Sequence, residues 1–309
     1  MIYGAAVRTR NTLYDRSLLP RHRLEGPVVS IGNLSLGGAG KTPFVMLLGE
    51  LLKVRGVDFD ILSRGYGRAT RGVFLVDPAG SPRTFGDEPV LMARRLEVPV
   101  IVGDDRFAAG QFAEKRFGPQ LHLLDDGFQH RMLARDFDIV LVTPQDASDQ
   151  LLPAGRLREP LASLSRADSI VLASGATAES FPLVGKLVWR VRRGIATQNV
   201  PPRPVVFCGI ARPQTFVLQL RAAQIEPAAE AFYRDHHAYS EKDVRELLAL
   251  KQRSEAGGFV TTEKDAVNLG PYLSALEPLS VIPVRMELAD ATNALDTMLR
   301  VIEERKRRA

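Results

Sequence analysis

The chain has 309 residues, which is long enough for two domains or for one large α/β unit with a proper core. With 45% hydrophobic and 25% charged residues, its composition is that of an ordinary soluble globular protein. A formal net charge of +5 favours an acidic partner, which can be nucleic acid, anionic lipid or a phosphorylated substrate. The single cysteine, Cys208, excludes an intrachain disulfide and favours a reducing compartment. No apolar run approaches the ~18 residues that a membrane-spanning helix needs.

Residues 1–20 form a two-faced segment when they are drawn as a helix. One side is apolar, and the other carries polar and charged side chains that include Asn11. Such a segment suits either a helix that lies on a membrane surface or a helix that packs on its own domain, and the residues alone favour neither. The apolar side consists of Ile2, Tyr3, Ala6, Val7, Leu13, Tyr14 and Leu18, with Arg10 intruding on it.

A glycine-rich loop, GGAGKT, follows an apolar strand that begins at Val28 and precedes a helical stretch opened by Pro43. Backbone N–H groups in such a loop and the positive end of the helix dipole together suit a polyphosphate. The lysine would reach the β- and γ-phosphates, and the threonine hydroxyl would hold Mg²⁺. The fit to the P-loop pattern is incomplete because a serine stands where the pattern has its first glycine. The predicted nucleotide-binding residues are Ser35, Gly37, Gly38, Ala39, Gly40, Lys41 and Thr42.

Three later strands are predicted to end in charged loops. SRGYGR and VGDDR follow two of them, and LHLLDDGFQH contains the third. Ligands bind at the carboxyl ends of strands in an open parallel sheet, so Arg64 and Arg106 are candidates to meet a phosphate. A solvated turn is the alternative for the first of these loops. Asp125 and Asp126 end an apolar strand, which is where a Walker-B carboxylate holds Mg²⁺ or its water.

Up to Thr143 the strands are too apolar to face water on one side, which favours a parallel sheet with helices on both faces. The proline-bounded segment 151–160 is interpreted as a connector. We therefore predict a P-loop NTPase-type α/β domain over residues 1–150 and a second, smaller α/β domain over residues 151–309. Two charged motifs in the second half, YRDHHAYS and TTEKDAVNL, are ambiguous from their residues alone. The first lacks familiar metal-ligand spacing, and the second is explained equally well as a charged helix start.

Taken together, eight motifs resemble the tetraacyldisaccharide 4'-kinase family, the lipid A 4'-kinases of Gram-negative bacteria. They fall in the family's order between about residues 30 and 270, and DDGFQH and GRLREP are more specific than the P-loop. Family members resemble this chain in having a small hydroxyl residue at position 35. The motifs are GGAGKTP, SRGYGR, GDEP, VGDDR, LLDDGFQH, LPAGRLREP, DHHAY and TTEKDAV.

The resemblance implies an ATP-dependent kinase that phosphorylates the 4'-hydroxyl of the lipid A disaccharide precursor at the cytoplasmic face of the inner membrane. It implies two α/β domains that flank a cleft, ATP and Mg²⁺ as cofactors, an anionic membrane surface as a partner, and neither nucleic acid nor an obligate protein partner. A substrate with acyl chains in the bilayer also favours the membrane-surface interpretation of residues 1–20.

The resemblance also assigns roles to residues. Asp87 of GDEP is paired with a histidine as the base that activates the sugar hydroxyl, and that histidine is mapped to His236, with His237 as the other register. Thr42, Asp125 and Asp126 are assigned to the metal, and Lys264 to the nucleotide. The positions assigned to the substrate or phosphate shell are Arg64, Arg106, His130, Arg158 and Glu159.

Two other classes of protein share parts of this pattern. A P-loop GTPase or ATPase that acts as a switch or metallochaperone also pairs a GK[ST] loop with an aspartate at a strand end. TEKD resembles the guanine-reading N-K-x-D motif only loosely. A non-catalytic, membrane-associated nucleotide-binding module is the second alternative, and it leaves DHH and GRLREP without a role.

Overall fold

The structure is a computed structural model, and it describes residues 2–308. Met1 and Ala309, which the predicted N-terminal segment and C-terminal domain include, lie outside the described residues. The α-helices are α1 (Ile2–Asp15), α2 (Lys41–Val54), α3 (Pro82–Phe85), α4 (Asp87–Leu96), α5 (Arg106–Phe117), α6 (Pro213–Ala222), α7 (Glu241–Arg253), α8 (Glu263–Leu269) and α9 (Ala291–Arg308). Short 3₁₀ turns span Pro144–Ala147, Leu161–Arg166, Ala178–Ser180 and Gly270–Leu276.

The strands form two sheets. The first seven along the chain are β1 (Val28–Asn33), β2 (Phe59–Ser63), β3 (Phe74–Leu75), β4 (Val100–Val102), β5 (Leu121–Asp125), β6 (Phe137–Val142) and β7 (Ser169–Leu172). Those that follow are β8 (Leu187–Ile195), β9 (Val205–Cys208), β10 (Ala229–Phe232), β11 (Phe259–Thr262), β12 (Leu279–Ile282) and β13 (Val284–Leu288).

The large sheet has nine strands in the order β13-β8-β7-β6-β1-β5-β2-β4-β3. Its pairings are parallel except at the two edges, where β3 and β13 run antiparallel to their neighbours. Every residue of β1, β2, β5 and β6 is buried, as expected for parallel strands covered on both faces. The predicted P-loop-type sheet is confirmed, and its carboxyl-terminal edge carries the glycine loop between β1 and α2.

The small sheet has four parallel strands in the order β10-β9-β11-β12, with its own apolar core. Phe207 and Phe259 meet edge-to-face in that core, 6.2 Å apart. The loops that leave β10 and β11 lead to the DHH and TTEKDAV motifs, so the ambiguous motifs of the second half lie at the carboxyl-terminal edge of this sheet.

The predicted boundary near residue 151 does not coincide with the division between the sheets. β7 pairs with β6 and β8 with β7, so residues up to 195 continue the large sheet, and β13 returns to it. Segment 151–160 is not a linker either. Its Arg158 N–H donates to the carbonyl of Leu34, and the Leu36 N–H donates to the carbonyl of Arg156, so the segment forms one wall of the glycine loop. We propose residues 205–282 as the second unit.

Helix α1 packs on the large domain through a partly polar face. Asn11, assigned to the solvent side from the sequence, is buried and donates to Glu159 Oε2 at 2.7 Å. The Tyr3 hydroxyl donates to the carbonyl of Arg158. Ile2 and Leu18 remain 89% and 65% exposed. Among residues 2–308, no helix combines the length and apolar character needed to cross a bilayer.

A buried ionic cluster joins three elements at the amino-terminal end of β5. His122 lies 2.8 Å from Asp60 through Nδ1 and 3.3 Å from Glu114 through Nε2. Burial opposes protonation of the ring, but the two carboxylates outweigh it and raise the pKa of His122. The protonated imidazole therefore ties β5 to β2 and α5, at the end of the sheet opposite the glycine loop.

Candidate active site

A cleft of about 700 Å³ opens at the carboxyl-terminal edges of both sheets. The large sheet contributes the glycine loop and the residues at the ends of β2 and β5. The small sheet contributes residues that follow β9, β10 and β11. The site residues that line it are Gly37, Gly38, Ala39, Gly40, Lys41, Thr42, Arg64, Asp125, Asp126, Arg158, His236 and Lys264. A volume of this size suits a small-molecule site.

The glycine loop has the backbone that its sequence predicts. Gly37, Gly38 and Gly40 have φ values of +67°, +66° and +84°, which only glycine adopts without strain. Helix α2 begins at Lys41, whose Nζ lies 3.0 Å from Asn33 Oδ1 and 3.5 Å from Asp126 Oδ1. Lysine and helix terminus therefore converge on one point. Ser35 is buried beside the loop, where it bridges to Leu157, and does not line the cleft.

The acid pair after β5 divides into two different carboxylates. Asp126 Oδ1 accepts from Arg158 at 2.7 Å; burial opposes its ionisation, but Lys41 and Arg158 outweigh it and lower its pKa to about 2. Asp125 accepts from the Ser63 hydroxyl at 3.0 Å through one oxygen, and its other oxygen is buried without a hydrogen-bond partner among the described residues. Burial, with Glu88 and Asp126 nearby, raises the pKa of Asp125 to about 7.

That unpartnered oxygen fits a cation. Mg²⁺ is usually held by one or two carboxylates together with substrate phosphates and water, rather than by a complete protein cage. Asp125, Asp126 and Thr42 all line the cleft beside the loop and supply such oxygens. Within residues 2–308, no group of three or more His, Cys, Asp and Glu side chains forms a self-sufficient metal site. The donor set therefore suits a cation that arrives with a nucleotide.

Asp87 and His236 meet across the cleft. Asp87 begins α4 on the large sheet, His236 follows β10 of the small one, and the histidine Nδ1 lies 2.9 Å from both carboxylate oxygens. Asp87 also accepts from Asn268 Nδ2 at 3.0 Å. Burial raises the pKa of Asp87, but the bond to His236 and the charge of Lys264 outweigh it, so the net shift is downward. Burial opposes protonation of His236, but the hydrogen bond and negative charge of Asp87 outweigh it, so the pKa of His236 is raised.

Lys264 determines which ring nitrogen of neutral His236 is unprotonated and can accept a proton. Its Nζ lies 3.2 Å from Nε2 of the ring and 2.8 Å from Asp235 Oδ1. An ammonium group only donates, so Nε2 accepts and the proton of the neutral ring lies on Nδ1, toward Asp87. Asp87 and Glu88 outweigh burial and raise the pKa of Lys264, which keeps it charged.

His237 lies in a different environment. Its ring stacks on Tyr233 at 4.6 Å between centroids, and its Nε2 is 3.2 Å from Asp243 at the start of α7. It therefore faces its own sheet, whereas His236 faces Asp87. Of the two histidines considered as the partner of Asp87, only His236 brings its imidazole to the Asp87 carboxylate.

The remaining predicted residues lie at different depths. Arg64 is exposed at the rim, 3.9 Å from Asp104. Arg106 is buried at the start of α5, where burial lowers its pKa. His130 lies behind the acid pair, and burial with Arg106 nearby lowers its pKa to about 4. Glu159 is fully buried and bonds Asn11 and Arg166, so it anchors α1 rather than lining the cleft.

Sequence reasoning did not assign several residues that belong to the site. Asn33 ends β1 and receives both Lys41 and Arg158 on its side-chain oxygen. The only available signal was a polar residue at the end of an apolar strand that enters a P-loop. Asn268 lies one helical turn beyond the TTEKD charges. Its amide, unlike their charged groups, gave no sign of a role.

The profile of the family described as Tetraacyldisaccharide-1-P 4'-kinase matches residues 1–303. This chain belongs to that family. A tetraacyldisaccharide 4'-kinase of Koribacter versatilis is 51% identical over 99% of this chain and 98% of its own length. The protein of the same name from Geobacter metallireducens is 37% identical over 93% and 92%. The crystal structure of the Aquifex aeolicus family protein in complex with ATP has a TM-score of 0.81 and 34% identity, covering 97% of this chain and 96% of that one.

The family predicted from the eight motifs is thus confirmed, and so are the α/β fold and the predicted class of activity, an ATP-dependent kinase of lipid A biosynthesis. Membership does not by itself assign the roles of individual residues, the metal or the membrane surface.

Proposed function

We propose that the chain transfers the γ-phosphate of ATP to the 4'-hydroxyl of a tetraacyldisaccharide 1-phosphate within this cleft, with His236 and Asp87 as the base. The contact between Nδ1 and the Asp87 carboxylate carries the proposal, because it joins the two sheets beside the glycine loop. The hydroxyl oxygen attacks the γ-phosphorus, its proton passes to Nε2 of His236, and ADP leaves. A carboxylate on Nδ1 orients the ring and stabilises the imidazolium that forms.

Lys264 links the base to the transferred group. It donates to Nε2 of His236 in the structure, and the acceptor hydroxyl takes that position in the reaction. The displaced ammonium remains beside the cleft and donates to the γ-phosphate, whose negative charge it neutralises. Lys264 therefore leaves Nε2 of His236 free to accept a proton only when the acceptor and the γ-phosphate are both bound. This requirement disfavours transfer of the phosphate to water.

The opposite wall positions the phosphates. Lys41 and Arg158 share Asp126, and both guanidinium and ammonium groups point toward the loop where the β- and γ-phosphates are expected. Mg²⁺ held by Asp125, Asp126 and Thr42 would neutralise charge on the phosphates. Arg64 at the rim is suited to the phosphate that the acceptor already carries, because it is exposed and loosely paired.

The exposed part of the N-terminal segment supports binding at the cytoplasmic face of the inner membrane. Ile2 on α1 and Leu18 just after it are exposed, and Arg8, Arg16 and Arg21 are exposed nearby. Each basic residue close to an anionic leaflet contributes about 1 kcal/mol. Because Asn11 and Tyr3 anchor α1 to the domain, this surface is rigidly attached to the cleft.

Incubation with γ-labelled ATP, Mg²⁺ and the tetraacyldisaccharide 1-phosphate tests the proposed reaction. Label is expected in the lipid fraction, and only when the disaccharide is present. Labelled free phosphate without labelled lipid would instead support a nucleotide-hydrolysing switch, and ATP binding without turnover would support a non-catalytic binding module.

A further inference from the structure

Two arginines of the cleft, Arg193 and Arg212, carry charge that no group among residues 2–308 neutralises. Arg193 lies on β8 and Arg212 immediately before α6, and both line the cleft with the glycine loop. Among residues 2–308, no carboxylate oxygen lies within 4.0 Å of either guanidinium. The other two arginines that line the cleft differ in this respect, since Arg64 and Arg158 pair with aspartates.

The environment of Arg193 is costly for a cation. Its Nε is buried and has no hydrogen-bond partner within the part of the chain that the structure describes. Burial lowers the pKa of Arg193, and the charge of Arg212 lowers it further. Arg212 makes one long side-chain hydrogen bond to the described residues, 3.5 Å from its Nη1 to Gln145 Oε1. Two guanidinium groups placed together without a counter-charge destabilise the fold unless an anion joins them.

Both arginines lie against the glycine loop. A Cβ built on Gly38 would be 2.8 Å from Nε of Arg212. Arg193 is opposite Met286 in the β8–β13 pair, so their side chains project to the same face of the ribbon. A Cβ built on Gly40 would be 2.5 Å from Cε of Met286, which places that face of the ribbon at the start of α2.

The start of α2 lacks one donor that a phosphate-binding helix normally offers. The first N–H groups of a helix have no intrahelical partner and bind phosphate, but the third residue of α2 is Pro43, which has no N–H. The next N–H, that of Phe44, already donates to the carbonyl of Gly40. The helix therefore supplies only the N–H groups of Lys41 and Thr42 to the phosphates.

We propose that Arg193, assisted by Arg212, binds the α- and β-phosphates of the nucleotide and replaces the donor lost at Pro43. This inference rests on nucleotide binding at the glycine loop, the site of the proposed function. The planar guanidinium group can donate to two phosphate oxygens at once. The negative phosphates would then neutralise both arginines, which have no carboxylate partner among residues 2–308. The nucleotide is thus held between the glycine loop and the β8–β13 edge of the large sheet.

Calorimetric titration of the full-length protein with ADP and with a non-hydrolysable ATP analogue, both in Mg²⁺, tests the assignment. Arg193→Gln is expected to weaken both nucleotides equally, by about ten- to hundred-fold, since a bond to a charged group is lost. Arg193→Lys should lose less, and Arg212→Gln should weaken binding in the same direction. The matched control is Arg192→Gln, at the exposed neighbouring position on β8, which should bind like the wild type.

A thermal melt separates this role from a structural one. Without nucleotide, Arg193→Gln should melt no lower than the wild type, because it removes an uncompensated charge, while the rise in Tm on adding ADP should shrink. A lower melting temperature without nucleotide together with unchanged ADP affinity would overturn the assignment. A loss confined to the ATP analogue would also overturn it, because it would place the arginines at the γ-phosphate. If the wild type bound no ADP, nucleotide binding at the loop would itself be refuted.

Discussion

Replacing His236 by glutamine tests the proposed base. The substitution removes the ring nitrogen that faces the cleft and leaves the Asp87 carboxylate without its 2.9 Å partner. A positioned general base contributes about 10²- to 10⁴-fold, so we expect kcat to fall by that factor, or about 3 to 5 kcal/mol in the barrier. Binding of ATP should change little, since Lys41, Thr42 and the loop backbone are untouched.

The assay is single-turnover transfer of labelled phosphate to the disaccharide, with ATP affinity measured separately. His237→Gln is the matched control, because that ring packs on Tyr233 and Asp243 away from Asp87. The double variant Asp87→Asn with His236→Gln should be little worse than either single variant, since the two residues act as a unit. A His236→Gln enzyme that keeps a kcat within about threefold of the wild type, well inside the range expected of a general base, would refute the reasoning.

Three further predictions concern protonation, the metal and the membrane. Because Asp87 raises the pKa of His236 and the base must be neutral, kcat/KM should fall as pH drops through that pKa, and Asp87→Asn should move this acidic limb to lower pH. The pKa of Asp125 in the folded protein, about 7, lies above its ordinary 3.8, so the wild type loses stability as pH rises from about 4 to about 7. The difference in free energy of unfolding between Asp125→Asn and the wild type, measured in urea, should therefore increase from about pH 4 to about pH 7 and level off by about pH 8, and the variant should lose Mg²⁺-dependent transfer. Ile2→Glu with Leu18→Glu should reduce flotation with anionic vesicles, while Val54→Glu, an exposed apolar position on α2, should not.

The stability of the sheet offers one prediction remote from the cleft. Replacing His122 by phenylalanine leaves two buried or half-buried carboxylates without their shared partner. Breaking a buried ion pair in this way costs about 3 to 5 kcal/mol, which urea denaturation would measure. The raised pKa of His122 means that the wild-type advantage is full below the ordinary value of 6.5 and is lost as pH rises through the higher folded value.

Local sequence patterns predicted the parts of the site that are formed by residues adjacent in the sequence. The run from β1 through GGAGKT to α2 predicts a strand, a phosphate-binding loop and a helix. The acid pair at Asp125 directly follows an apolar strand, which predicts a site at the strand's end. The contact between Asp87 and His236 was different. Their residues lie 149 apart, and only the resemblance to the kinase family joined them before the structure did.

Longer-range packing was beyond the sequence. An apolar strand such as β7 carries no signal of which sheet it joins, so the sequence could not show that the large sheet continues beyond the proline-bounded segment. Glu159 was assigned to the substrate shell, but its bonds to Asn11 and Arg166 hold α1 in place. Asn11 was assigned to solvent because polarity alone was considered. The same limit concealed Arg193, whose significance depends on its having no carboxylate nearby among residues 2–308.

The central claim is that one acceptor oxygen reaches both the dyad and the γ-phosphate in this cleft. A crystal structure with Mg²⁺, a non-hydrolysable ATP analogue and the tetraacyldisaccharide 1-phosphate would test it most directly. We expect the 4'-oxygen within about 3.5 Å of both the γ-phosphorus and Nε2 of His236. It should lie opposite the bond between the γ-phosphorus and the leaving oxygen of ADP. An acceptor bound with its 4'-oxygen remote from Nε2, or a triphosphate lying away from the Lys41 loop, would contradict the account.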